Sequence, residues 1–214
     1  MRLDSAYKSE LDTIKALVGD EAIARRVLSA HGVKSRIASG SIADGIRRLH
    51  AMGIRGKKLA TVLSDCFCAR IGDDAFWTAF DQVRTEFDLT SDKMAQLFST
   101  GCFANRVHLP EFRQAIRDMR EELDLTSDKT VQLFSTGCFA NRVHMPEFRQ
   151  AIRDMREELD LTSDKTVQLF STDCFADRVH LPEFRQAIRD VREELGLTSD
   201  KTVQLFSTDC FANR

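Results

Sequence analysis

The sequence lacks any uninterrupted apolar run near the ~18 residues that a membrane span requires, so no helical span is expected. Its first thirty residues include Asp4, Glu10, Asp12, Asp20 and Glu21, and therefore lack the apolar core of a secretory signal. An intracellular protein, cytoplasmic or nuclear, is the expectation. There is no glycine-rich phosphate loop, no nucleophile elbow and no paired-histidine metal motif. No catalytic residue, metal, cofactor or small-molecule substrate is expected. His108, His144 and His180 each have one cysteine six residues earlier, which makes no tight Cys/His ligand set. An excess of one charge is also missing: 31 Lys and Arg stand against 33 Asp and Glu, so total charge names no partner. With 43% apolar and 30% charged residues, the composition is that of a folded chain rather than a disordered one.

What is present is repetition. Leu-Thr-Ser-Asp-Lys begins at Leu89, Leu125, Leu161 and Leu197, a constant step of 36 residues. A period of this length signals a solenoid of small units that close their core only against neighbours. The pattern continues upstream in degraded form, because Cys66, Phe67, Arg70, Phe76 and Ala79 sit one period before Cys102, Phe103, Arg106, Phe112 and Ala115. Three segments follow: a basic, divergent N-terminal cap at 1–52, a divergent repeat at 53–88, and near-identical repeats at 89–214, the last truncated. That truncation would leave core surface uncapped, and end-to-end self-association is expected from it. Cys66, Cys102, Cys138, Cys174 and Cys210 multiplied with the unit, and equivalent positions in stacked repeats lie about 8–10 Å apart, beyond the ~7 Å Cα limit of a disulfide. Reduced, buried thiols are expected.

Within one unit, Thr126 or Ser127 suits a helix N-cap, Asp128 suits the positive first turn, and Val131, Phe134 and Cys138 keep helical spacing. Ser135-Thr136-Gly137 interrupts or ends this helix. Pro146 stands where a first helical residue tolerates the missing N–H, and Phe148, Ala151, Ile152, Met155 and Leu159 form an apolar stripe behind it. Asp160, or Gly196 in a later copy, then turns the chain into the next unit. The expected fold is all-α, a right-handed α-solenoid of two-helix repeats.

Two patterns carry functional information. Between residues 25 and 58, Arg25, Arg26, Lys34, Arg36, Arg47, Arg48, Arg55, Lys57 and Lys58 meet a single acid, Asp44. This block is the strongest electrostatic candidate for phosphate. One loop position, meanwhile, alternates between two small residue types: Asp65, Gly101, Gly137, Asp173, Asp209. A second alternates as Asn105, Asn141, Asp177, Asn213.

Leu125-Thr126, Asp128, Val131, Leu133 and Ser135 fall where repeats of bacterial TAL effectors carry Leu-Thr, Asp, Val, Ile and Ser, and Phe148, Ala151, Ile152 and Met155 coincide with apolar positions of that family's second helix. The chain resembles that family from about residue 60 onward. The resemblance implies a double-stranded DNA partner, with Asp65, Gly101, Gly137, Asp173 and Asp209 each facing one base and Thr100, Thr136 and Thr172 packing back. A carboxylate accepts from cytosine N4 and a glycine leaves space for the thymine methyl, so the implied reading is C-T-T-C-C. A translocated effector is one implied route out of the producing cell. Two departures stand out: Cys138-Phe139 replaces the family's Gly-Gly, and the unit is two residues longer. Arg106, Arg142 and Arg178 follow the loop and are candidates to replace the lost phosphate contact. A second resemblance, to mitochondrial transcription termination factor repeats, rests on the Arg-Glu-Glu-Leu-Asp-Leu-Thr junction at 156–162.

Each pattern has a plainer alternative. Gly and Asp both suit a helix end, glycine through a left-handed conformation and aspartate through local hydrogen bonds. Arg142 and its equivalents can salt-bridge across the repeat junction. The helix-B trio Arg149, Arg153 and Arg156, repeated as Arg113, Arg117, Arg120 and Arg185, Arg189, Arg192, is either a phosphate track or a solvated face with Arg153 paired to Glu157 at i+4. A protein-interaction scaffold gripping a peptide or helix is the alternative function.

Overall fold

The computed structural model describes residues 2–30, 33 and 41–208. Among them there are sixteen helices and no strand, so the chain is all-α. No described helix is long and apolar enough to cross a membrane. Lys34 and Arg36 of the basic block and Asp209 of the loop row lie outside the described residues.

The chain divides into two compact units, Met1–His108 and Leu109–Arg214. The first contains α1 (Arg2–Val18), α2 (Glu21–Ser29), α3 (Ser41–Ala51), α4 (Gly56–Val62), α5 (Asp65–Arg70), α6 (Asp74–Glu86), α7 (Ser91–Ser99) and α8 (Gly101–Arg106). In the second are α9 (Pro110–Glu122), α10 (Ser127–Phe134), α11 (Gly137–Arg142), α12 (Pro146–Glu158), α13 (Ser163–Phe170), α14 (Asp173–Arg178), α15 (Pro182–Glu194) and α16 (Ser199–Phe206).

One repeat shows why these boundaries arise. The Thr126 hydroxyl accepts from the Lys129 amide at 3.4 Å, so threonine rather than Ser127 caps α10. The helix stops after Phe134 because Thr136 takes an extended conformation (φ −80°, ψ 119°), and the chain restarts helically at Gly137. The repeat therefore has three helices, not the expected two: the Ser-Thr-Gly break splits helix A into α10 and the short α11. Pro146 opens α12 at its first position, burying Phe148, Ala151, Ile152 and Met155. At its end the Leu161 amide donates to Arg156 O at 2.9 Å and the Asp160 amide to Glu157 O at 3.3 Å, a Schellman pattern closed by Asp160 at φ 49°. Gly196 holds the same turn at φ 57° in the later copy.

Equivalent helices of successive repeats pack on one another: α10 on α13, α13 on α16 and α11 on α14 in the second unit, α4 on α7 and α5 on α8 in the first. The shared interior is aromatic. Phe139 is fully buried, edge-on to Phe134 at 5.2 Å and Phe148 at 5.5 Å, with Phe170 of the next repeat at 6.4 Å. Leu195 is 61% exposed although Leu123 and Leu159, its equivalents, are fully buried.

Candidate nucleic-acid interface

Asp65, Gly101, Gly137 and Asp173 each open a short helix, α5, α8, α11 and α14. Gly101 and Gly137 have ordinary negative φ, so the left-handed helix-end role is not theirs. Asp65 and Asp173 are exposed, and the two glycines are half-buried. Behind them Thr136 and Thr172 are buried, and their hydroxyls donate to the next loop: Thr136 Oγ1 to Ser171 O, and Thr172 Oγ1 to Ser207 O, both at 3.3 Å. The threonines thus tie each loop to its successor instead of only to their own repeat.

The alternating residues take part in the same stacking. The Cys138 amide donates to Asp173 Oδ1 at 3.1 Å, so the aspartate satisfies a backbone donor at the start of the preceding repeat's short helix. A Cβ on Gly137 would stand 3.8 Å from that oxygen, ordinary contact, whereas one on Gly101 would come within 3.2 Å of Cys66 Sγ. Position 101 therefore accepts a side chain only if Cys66 yields. The repeat cysteines Cys66, Cys102, Cys138 and Cys174 are free thiols and half-exposed, which corrects the expectation that they are buried. Cys68, outside the repeat pattern, is the buried one, and burial pushes its thiol up to about 12. Burial, aided by the Asp173 and Asp177 carboxylates, also raises the Cys138 thiol.

Beside this row run the loop-following arginines. Arg142 Nη2 lies 2.6 Å from Asp177 Oδ1 of the next repeat, the cross-junction salt bridge that sequence left open. Arg70 at the equivalent place donates to Asn105 Oδ1 at 3.3 Å. The second alternating position is thus the acceptor for the arginine of the repeat before it. Its alternation between Asn and Asp is the signal in the sequence; the pairing itself arises only from the packing of one repeat on the next. Arg106 and Arg178 end α8 and α14 at the corresponding place and are half-buried.

The basic block is less naked than its linear neighbourhood indicates. Arg25 pairs with Glu21 at 2.7 Å, Arg47 with Asp44 at 2.6 Å, Arg48 with Asp81, and Lys58 with Asp92. Three of those acids lie outside residues 25–58, so the expectation that almost nothing neutralises the block is corrected by the fold. Hydrogen bonds from Lys15 and Arg25 hold the Glu21 carboxyl down to about 2. Arg26 donates to Ala60 O at 2.6 Å and ties α2 to α4. Arg48 also stacks over Trp77, 4.7 Å from the ring centroid. Arg55 donates to His50 O at 3.4 Å, and Lys57 is exposed with no ion pair among the described residues.

The helix-B trio is consumed by its neighbours. Arg149 meets Asp118 at 3.0 Å, Arg153 meets Glu122 at 3.1 Å, and Arg156 donates to Glu122 O at 3.3 Å. Arg185, Arg189 and Arg192 repeat this with Asp154, Glu158 and Glu158 O at 2.7, 2.8 and 3.0 Å. The expected Arg153–Glu157 pair is replaced by one reaching 31 residues back, because packed helices bring Glu122 closer than the helix's own next turn. Among the described residues no group of three His, Cys, Asp or Glu side chains is placed to hold a metal ion.

The chain matches no protein-family model, no curated protein and no solved structure.

Proposed function

We propose that this chain is a modular, right-handed α-solenoid of 36-residue repeats that binds double-stranded DNA along its loop row, with one residue per repeat facing a base. The observation that carries this reading is the loop register inside each unit. Consecutive loops touch, through Thr136 to Ser171 and Cys138 to Asp173, while the alternating position stays at the surface. A polymer with a regular repeat is the natural partner for such a row. Asp65 and Asp173 offer a carboxylate oxygen to cytosine N4, and Gly101 and Gly137 leave room for thymine; with Asp173 Oδ1 held by Cys138, Oδ2 serves the base.

Phosphate attachment falls to exposed cations whose present partners are exchangeable. An exposed ion pair contributes about 0–1 kcal/mol, so Arg47 and Lys58 release a surface carboxylate for a phosphate at little cost, and Lys57 has no carboxylate partner among the described residues. The test is fluorescence anisotropy with a 20-mer duplex carrying C-T-T-C-C and with a shuffled duplex, over about 50–200 mM salt. Binding is expected, with Arg47→Gln, Lys57→Gln and Lys58→Gln together flattening the log–log salt slope by about 2 to 3. Absence of duplex binding at the lowest salt overturns the proposal.

A second reading, a protein-interaction scaffold, is favoured by one observation: the helix-B arginines are neutralised by acids of the preceding repeat, which leaves a mixed-charge face. Retention of duplex DNA in the same titration decides against it.

A further inference from the structure

The loop-following arginines and the second alternating position form one device. In the first unit Arg70 of one repeat reaches the neutral amide of Asn105, so no carboxylate of the next repeat meets it; its ion pair is a long one, 3.9 Å, with Asp73 of its own repeat. In the second unit Arg142 reaches the carboxylate of Asp177 at 2.6 Å, with the arginine side chain only 21% exposed, and that charge is cancelled locally. The geometry is otherwise the same: an arginine ending a short helix, an acceptor 35 residues later, and an interacting oxygen directed at the guanidinium. Asn and Asp are nearly isosteric, and both present that oxygen. The hydrogen bond therefore survives the exchange while the net charge beside the loop row changes by one.

We infer that the residue at 105, 141 and 177 sets the local charge of the loop row repeat by repeat, and that Asp177 lowers, and Asn105 preserves, the affinity of the adjacent loop for a phosphate backbone; Asn213 lies outside the described residues. This rests on the nucleic-acid reading above and deepens it, because it assigns phosphate affinity to a position that faces neither base nor phosphate. The quenched arginine, Arg142, shares its repeat with Gly137 and Cys138, while Asp173 and Asp177 come from the next repeat, and both of those carboxylates raise the Cys138 thiol. Removing a single negative charge at 177 therefore acts where two carboxylates already act on one loop.

The experiment compares the full chain with Asp177→Asn, Asn105→Asp and Glu157→Gln, using a random-sequence 20-base-pair duplex. Glu157 is exposed, belongs to no ion pair among the described residues, and changes net charge as much as the 177 variant. Asp177→Asn is expected to tighten binding about 5- to 10-fold near 0.1 M salt and to steepen the salt slope by about 0.9, the value of one added phosphate contact. Asn105→Asp is expected to do the reverse, Glu157→Gln to leave the slope unchanged, and Arg142→Gln to abolish the gain when combined with Asp177→Asn. Binding by the wild type with an unchanged slope in Asp177→Asn, or an equal gain in Glu157→Gln, overturns this inference alone. Failure of wild type and Asp177→Asn to bind any duplex overturns it together with the function on which it rests. Circular dichroism melts establish that every variant is folded.

Discussion

The first unit contains repeats that barely match one another, whereas the second is built from copies, yet the same ties join neighbouring repeats in both. Lys58 pairs with Asp92 in the first as Lys129 pairs with Asp164 and Lys165 with Asp200 in the second. The arginine tie is likewise common to the two, from Arg70 to Asn105 and from Arg142 to Asp177. What differs is the interior. Phe67, Phe76, Trp77, Phe80 and Phe98 form one aromatic cluster in the first unit, with ring centroids from 4.4 to 6.3 Å apart and Trp77 Nε1 donating to the buried Ile71 O at 2.7 Å. The second uses the smaller motif of Phe139 among Phe134, Phe148 and Phe170, and again of Phe175 among Phe170, Phe184 and Phe206. Polar ties specify which surfaces meet. The apolar interior drifts more freely, because many hydrophobic arrangements fill the same volume.

The largest expected effect tests whether the two interiors are equivalent. Phe139→Ala should cost about 3–5 kcal/mol by the loss of a fully buried ring, and Phe67→Ala about as much. Urea denaturation measures both. If Phe67→Ala costs under half as much as Phe139→Ala, the divergent interior is looser than its burial indicates.

A smaller effect sharpens the comparison at the turns. Asp88, Asp124 and Asp160 hold φ of 50°, 48° and 49°, which an L side chain adopts at a cost and glycine does not. Asp160→Gly should stabilise by about 0.5–1 kcal/mol and Gly196→Asp should destabilise by a similar amount, read as opposite shifts in melting midpoint. Both shifts reversed, with Asp160→Gly lowering the midpoint and Gly196→Asp raising it, would show that the aspartate side chain contributes more to the turn than its backbone strain removes.

The smallest effect is electrostatic. Hydrogen bonds from Gln150 and Arg185 and the charge of Arg185 hold the Asp154 carboxyl below its ordinary value. Its folded-state pKa being depressed, the stability it contributes is present above the unfolded value near 3.9 and is lost as pH falls through the lower folded value. Acid unfolding followed by circular dichroism should therefore show a shallower loss below about pH 4 in Asp154→Asn than in the wild type. Identical acid profiles would remove this inter-repeat pair from the stability of the second unit.

Much of the local structure was legible in the residues. Thr126, Pro146 and Asp160 marked a cap, a helix start and a turn, each through a backbone rule that acts over a few residues, and all three stand where that rule put them. The candidate site was less legible. Asp173 also holds the Cys138 amide of the preceding repeat, a contact that no local pattern signalled. Arg153 looked paired within its helix and is paired with Glu122. The basic block looked unopposed until Asp81 and Asp92 arrived from beyond it. Charge read along a chain counts neighbours in sequence, and screening is done by neighbours in space.

By itself the sequence determined the period, the helical class and the turn chemistry, because hydrophobic spacing, caps and left-handed residues act within one or two helical turns. Only the tertiary structure decided that the chain resumes as a second short helix after the Ser-Thr-Gly break, that consecutive loops bond to each other, and that Leu195 is open where Leu159 is closed. Identical residues met different surroundings, and burial and pairing belong to the surroundings.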